Sequence, residues 1–488
     1  MKKKVVYKME NSTSEKLSLT PPKFTTKQRL HWGLASFGGS MISGTYASLL
    51  SIFYVDYLGL VGPYAYLVVI MSIAYAVWNA FNDPLFGFYS DRSKSKKGRR
   101  IPFMRYTAPF LGLSFILVWF APISPDKISV FWWMLVTTFL YDTGYTIVFL
   151  IYSALPPELT EDEQERNKLS LFASFFSLIG MILGFLIPDF FRSEQGIFPL
   201  QMAMIAVGIV GTLFILYTTF KFKERPEFTK VDEPLKIKDA IKYTFKSKSF
   251  IVLVSATFMS VFIQQMLLGS MFYLADYVTQ SSTILLLVAI FVPLILGVWM
   301  TPKLIAKFGV VRADQILLTI GASGLLLLTF IPVTIIYLSL ALAGIGLVGP
   351  LVLTNVLYAQ VIDEDELKTG VRREAVYFGM NAFITKPAQS VALALPAVLL
   401  TIAHFVPRNA LGEIQPQTHQ ADVDFAIRAF MGLIPAIALY IEVLILQFYP
   451  LKGEYLAKVQ KEILVLHNEK YAKLMELEKQ QKPDRNQQ

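Results

Sequence analysis

The sequence predicts an all-α membrane protein of twelve transmembrane helices, built as two halves of six. Three observations predict it. Of 488 residues 54% are hydrophobic and only 17% charged, with a mean hydropathy of +0.50, against roughly 25% charged residues in ordinary soluble domains. The apolar residues fall in repeated blocks of about 20, the length that crosses a ~30 Å hydrocarbon layer. Charges collect between the blocks.

Taken in order, the blocks predict helices over 30–58, 64–90, 103–122, 129–153, 169–191 and 200–220. A second six follow over 249–276, 282–301, 313–330, 334–361, 374–404 and 423–449. Residues 1–29 form a polar, lysine-rich tail, 221–248 a charged linker between the halves (30–220 and 249–449), and 450–488 a second tail. No apolar stretch of signal-peptide type precedes the first block. Lysines and arginines number 39 in the two tails and the even-numbered connections, against 3 in the odd-numbered ones. That asymmetry predicts a multi-pass protein with both termini cytosolic. It also explains the net charge of +9 without nucleic acid, because the basic residues sit where orientation signals belong.

The absence of cysteine excludes disulfides and thiolate metal sites. The four histidines, His31, His404, His419 and His467, fall in tails, helix ends or connections, so no buried histidine site is expected. Gly-x-Ser-x-Gly, His-Glu-x-x-His and phosphate-loop patterns are missing. An enzyme, a metal centre and a bound cofactor are therefore not expected. Two six-helix halves with a long cytosolic linker match the major facilitator plan, in which solute binds near the midplane between halves that rock.

The connection after the second helix carries the most specific pattern: Trp78-Asn79-Ala80-Phe81-Asn82-Asp83-Pro84-Leu85-Phe86-Gly87, then Asp91-Arg92 and Gly98-Arg99-Arg100. Gly87 lets helices approach closely, and Asp91 beside Arg92, Arg99 and Arg100 can latch one access state. Asp363-Glu364-Asp365, Gly370-Val371-Arg372-Arg373-Glu374 and then Lys386 form a second pattern. On these two motifs the chain resembles the glycoside-pentoside-hexuronide:cation symporter family, the melibiose permease-like branch of the major facilitator superfamily, over about residues 30–450. The second-half copy of the first motif, Gly297 to Arg312, is degraded.

Ionisable residues at bilayer depth cost about 2.5–3.5 kcal/mol and are usually functional. Asp83 lies about 8 residues, ~12 Å, and Lys386 about 12 residues, ~18 Å, from the cytosolic end at 1.5 Å per residue. Asn79, four residues before Asp83, shares its face. The resemblance implies carboxylates for the cation on the second and fourth helices, and acids on the first and fourth with an arginine on the fifth for a sugar. At those positions this chain has Ser40, Asn79, Phe149 and Ser174; Asp83 and Lys386 are retained. Asp142, seven residues before Phe149, is either a relocated ligand or the partner of a neighbouring helix. One carboxylate with amide and backbone oxygens is a thin cage for sodium, whereas a desolvated acid carries a proton, so a proton is expected ahead of sodium.

Gln264, Gln265, Tyr141, Asn355 and Trp78 are further candidates for the substrate cavity. A small sugar-like solute is the first expectation. An amphiphile is the alternative, since the resembled family includes a eukaryotic lysophospholipid symporter; an uncoupled facilitator and a non-transporting sensor also fit. Asp56, Asp189 and Asp276 lie near outer helix ends and are expected to be hydrated. Glu158 to Glu165 with Arg166 form a charged turn, either part of the cytosolic gate or solvated. Leu456, Val459, Ile463, Leu466, Leu474 and Leu477 make a helical stripe in the C-terminal tail that lies along the cytosolic face or the bilayer surface. The bilayer and the solute are the partners expected; the sequence names no protein partner.

Overall fold

The computed structural model describes residues 23–91, 100–160, 163–192, 196–222, 245–370, 374–409 and 411–480. These fold into twelve long helices and a tail helix. The first half comprises α1 (Thr26–Ile52, continuing through Phe53–Tyr57), α2 (Ala65–Asp91), α3 (Ile101–Val118), α4 (Lys127–Ala154), α5 (Glu163–Phe191) and α6 (Ile197–Lys221). The second comprises α7 (Lys248–Thr279), α8 (Thr283–Phe308), α9 (Val310–Phe330), α10 (Val333–Thr369), α11 (Glu374–Ile402) and α12 (Gln420–Gln447). The tail helix is α13 (Gly453–Gln480). Much of the expected linker, residues 223–244, lies outside the described residues.

Helix starts follow local chemistry. A capping box at Thr25 and Gln28 starts α1 four residues before its apolar block, because reciprocal side-chain bonds satisfy the orphan amides of a first turn. Asp126 accepts from Ile128 N–H and the Ser129 hydroxyl at the head of α4, and those bonds hold its carboxyl below the usual range. Eleven helices are long and apolar enough to cross a membrane. The twelfth, α1, is as long but rich in glycine and serine, and buries them. Cβ atoms on Gly180 and Gly184 of α5 would lie 2.2 Å from Phe37 O and 2.5 Å from Met41 O of α1. Hydropathy undervalues α1 because its small residues serve close packing rather than lipid.

The halves repeat one pattern of packing. α1 packs on α5 and α6, α2 on α4, and α3 on α4 and α6; α7 packs on α11 and α12, α8 on α10, and α9 on α10 and α12. Across the halves α1 meets α7 and α2 meets α11. Two basic residues inside helices are satisfied by carbonyls: Arg105 of α3 donates to Thr219 O of α6 at 2.5 Å, and Arg428 of α12 to Leu328 O and Ile331 O at the end of α9. Twelve helices place the start of α1 and the end of α12 on one face of the bundle, here the terminal face.

Candidate functional site

A cavity of about 550 Å³ lies between the halves. Its wall of aromatic rings comes from α4, where Tyr141, Tyr145 and Phe149 recur every four residues and so share one face. Tyr46 of α1 stacks on Tyr141 with ring centroids 4.0 Å apart, and Tyr145 on Phe149 at 4.6 Å. Gly39 makes room for the last ring, since a Cβ there would lie 1.7 Å from Phe149 Cζ.

The polar wall joins three helices. Asp142 is buried and accepts from the Tyr75 hydroxyl at 3.1 Å and from Asn82 Nδ2 at 2.6 Å. Asn82 Nδ2 also reaches Thr146 Oγ1 at 3.2 Å, and Lys386 Nζ donates to that hydroxyl at 3.4 Å. Thr146 thus links α2 and α4 of one half to α11 of the other. The Oδ1 atoms of Asn79 and Asn82 are buried with no hydrogen-bond partner. Pro387, next to Lys386 inside α11, removes a backbone donor and frees a carbonyl one turn back. Ser40 and Ser177 share a hydrogen bond of 2.6 Å at the cavity edge.

Among the sequence candidates, Ser40, Tyr141, Asp142, Phe149, Gln264, Gln265 and Lys386 line this cavity. Three others lie off its wall. Ser174 is exposed, and Ser177, three residues on, takes the cavity face of α5; matching positions across sequences misjudged the rotation of the helix. Trp78 points away and stacks on Phe139 at 5.2 Å. Asn355 is exposed and donates only to Leu351 O, within its own helix. Tyr75, Asn82 and Thr146 were missed, although Tyr75, Asn79 and Asn82 already share a face by their spacing. Asp83 lies on α2, but its side chain is outside the described residues.

On the terminal face, Gly87, Asp91 and Glu374 lie on helices with side chains outside the described set, and Arg92, Arg99 and Arg372 lie wholly outside it. Arg100 donates to Ala154 O at the end of α4 at 2.5 Å. Arg166 donates to Thr160 O at 2.8 Å, and Glu165 binds Arg29 and Lys168, so the described part of this turn is tied down. Asp363 is half-buried on α10, and Gly370 ends that helix at φ +74°, a left-handed cap that glycine adopts without penalty. The tail helix docks there: Glu366 accepts from Lys470 at 2.5 Å and pairs with His467 at 3.1 Å, Tyr455 donates to Glu364 at 2.8 Å, and Val459 and Ile463 are buried. Burial and the bond to Glu364 push the Tyr455 phenol up to about 12.

The opposite face corrects the expectation of hydrated acids. Asp56 accepts from Arg408 Nε at 2.9 Å, from its backbone amide at 3.0 Å and from the Tyr277 hydroxyl at 2.8 Å. Arg408 also donates to Asp276 at 2.5 Å, Arg192 pairs with both Asp276 and Asp189, and Thr283 donates to Asp189 at 2.6 Å. The Asp56 and Arg408 side chains are 0% and 3% exposed. Asp56, Asp189 and Arg192 belong to one half, Asp276, Thr283 and Arg408 to the other. The network closes this face by joining the halves.

Known proteins agree with this architecture. Residues 31–453 match the family model described as MFS/sugar transport protein. The uncharacterized symporter YjmB of Bacillus subtilis is 25% identical, over 91% of this chain and 96% of its own. The sodium-dependent lysophosphatidylcholine symporter 1 of Gallus gallus is 23% identical, over 83% of each. Among solved structures, a bacterial homolog of the human lysosomal transporter Spinster superposes with a TM-score of 0.64 at 13% identity, over 91% of this chain and 99% of its own. The nucleoside transporter NupG gives 0.59 at 14% identity, over 85% and 99%. With a match over nearly the whole helical bundle, this multi-pass membrane protein belongs to the family described as MFS/sugar transport protein, within the major facilitator transporters.

Proposed function

We propose that the protein is a cation-coupled secondary transporter of a small polyhydroxylated solute, a sugar or glycoside, working by alternating access. Its finer relatives would be the glycoside-pentoside-hexuronide:cation symporters, on the motifs around Asp83 and Lys386. One observation carries the reading: in the wall of the central cavity Asn82 links Asp142 to Thr146, and Lys386 from the opposite half donates to the same Thr146 hydroxyl. A charge there differs in environment between the two access states, as coupling requires. The cavity volume falls in the ~300–1,000 Å³ range of small-molecule sites. Its lining suits a sugar, with hydroxyl and amide groups from Ser40, Ser177, Gln264, Gln265 and Gln389 for the hydroxyls. The Tyr46–Tyr141 and Tyr145–Phe149 stacks offer flat apolar faces for the ring carbons. The 39-to-3 asymmetry of basic residues supports a cytosolic terminal face, so the face closed by the Asp56–Arg408 network would be the outer one.

The coupling ion in this reading is a proton carried by the carboxylates at Asp142 and Asp83. Sodium is the second reading, favoured by the unpartnered Asn79 and Asn82 oxygens beside Asp142, since hard cations collect oxygen ligands. The lysophosphatidylcholine symporters among the relatives favour an amphiphile as the second substrate class.

Purified protein in liposomes, loaded with a pH-sensitive dye, tests all of this against hexoses, pentoses, disaccharides, glucuronides and lysophosphatidylcholine. A sugar or glycoside that drives proton uptake in wild type, and fails to in Asp142→Asn, is the expected result. Uptake that needs sodium at constant pH assigns the site to sodium. Flux of lysophosphatidylcholine alone replaces the sugar reading, and sugar flux unchanged by Asp142→Asn removes Asp142 from coupling.

A further inference from the structure

Two carboxylates lie inside the second half, away from the central cavity. Asp314, four residues into α9, is 2% exposed, and Glu442, on α12, is 3% exposed. The helices cross at this point: Gln315, the next residue on α9, donates its amide to Val443 O, next to Glu442, at 3.1 Å. Glu442 accepts the hydroxyl of Ser260 from α7. Its second oxygen, Oε2, is buried and has no hydrogen-bond partner; neither has Oδ1 of Asp314. Asp314 presses against the wide turn Gly349–Leu353 of α10, where a Cβ on Gly349 would lie 2.3 Å from Oδ1.

The surroundings hold no counter-charge for this pair. Arg312 on α9 and Lys303 and Lys307 on α8 are exposed. Arg428, the basic residue of α12, is committed to Asp424 and to carbonyls of α9 at the opposite end. On α10, Lys368 pairs with Glu364, and on α11 Lys386 faces the cavity. Tyr440 of α12 shares a hydrogen bond with Ser323, and α7 supplies Ser260. Among the described residues no basic side chain pairs with Asp314 or Glu442. Ionising both would bury two like charges near one helix crossing without a partner, which costs far more than keeping one neutral.

We infer that Asp314 and Glu442 form a proton-binding site of the second half, holding at least one proton between them at neutral pH. The site is separate from Asp142 and does not depend on the coupling ion there. It lies about one turn from the terminal ends of α9 and α12, so protons reach it from that face. Its occupancy controls the packing of α7, α9, α10 and α12 against one another. A transporter that used sodium at Asp142 would still respond to pH on the terminal side.

Infrared spectroscopy of the purified protein in liposomes reads protonated carboxyl groups directly by their carbonyl stretch. Wild type is expected to show such a band at neutral pH, sensitive to deuterium exchange, and the Asp314→Asn/Glu442→Gln double variant to lose it. Superimposable spectra of the two proteins at neutral pH would overturn the inference. So would a wild-type band that appears only when sodium chloride is replaced by choline chloride at fixed pH, which assigns the pair to sodium. The amides match the neutral acids in shape, so the double variant is expected to fold. A proton held in the folded state and released on unfolding makes stability fall as pH rises. The wild-type melting temperature is therefore expected to drop more steeply than that of the double variant between neutral and alkaline pH, and equal slopes would count against the site.

Discussion

Phe149 occupies the place where the resembled family carries an acid, and the structure explains why an aromatic ring fits: Gly39 opposite has no side chain, and Tyr145 stacks one turn away. Asp142 lies two turns along the same face and pairs with Tyr75 and Asn82 of the neighbouring α2. Its place on that face was legible, because α-helical spacing places residues 142 and 149 close in angle. Its partners were not, because pairing Asn82 with Asp142 needs the relative rotation of two helices 60 residues apart. Asp56 was misread for the same reason, its partner Arg408 being 352 positions away. Glycines make the residue scale testable. A methyl on Gly180 would meet Phe37 O at 2.2 Å, whereas Gly379, also helical, has nothing within 4 Å. Gly180→Ala is expected to destabilise by about 1–3 kcal/mol through overpacking, and Gly379→Ala to be neutral or stabilising by up to about 1 kcal/mol. Melting temperatures of the two variants in one detergent check the pair.

At the scale of elements, the apolar blocks of the sequence correspond to the twelve helices, α1 the least apolar of them, and the differences arise at their ends. Polar first turns, as in α1 and α5, are invisible to an apolar window but are held by caps and ion pairs. α10 runs to Thr369, eight residues past its apolar block, because the tail helix covers its acidic end. The stripe of Leu456, Val459 and Ile463 was legible as a helix face. That it rests on α10 of the same chain, with Lys470 on Glu366, was not, because many charged surfaces attract such a helix. Burying an aliphatic side chain contributes roughly 1.5–3 kcal/mol. Ile463→Asp is accordingly expected to release α13 and to speed tryptic cleavage at Lys458, Lys461 and Lys470 by roughly tenfold or more, since local opening sets the cleavage rate. An unchanged digestion rate would mean that the salt bridges alone hold the helix.

For the whole molecule, the two faces differ in what joins the halves. On the face away from the chain ends, two arginines and three aspartates interlock, with Arg408 stacked over Tyr57 at 4.6 Å and Arg192 over Phe272 at 4.2 Å. Removing one partner of a buried pair costs about 3–5 kcal/mol, because the other charge stays desolvated. Opening this face would hydrate the orphaned charge, so the cost falls on the closed state and the equilibrium moves toward the open one by roughly a hundredfold or more. The chain contains no cysteine, so one introduced in the cavity reports access without background. Ser51→Cys lines the cavity near its closed end. In oriented liposomes an impermeant maleimide is expected to label it from the terminal face in an otherwise wild-type protein. With Arg408→Ala or Asp276→Asn added, labelling is expected from the opposite face. Two variants guard against a folding defect in either, and retained labelling from the terminal face alone in both would show that the halves are held together elsewhere, most directly by the α1–α7 and α2–α11 contacts that flank the network.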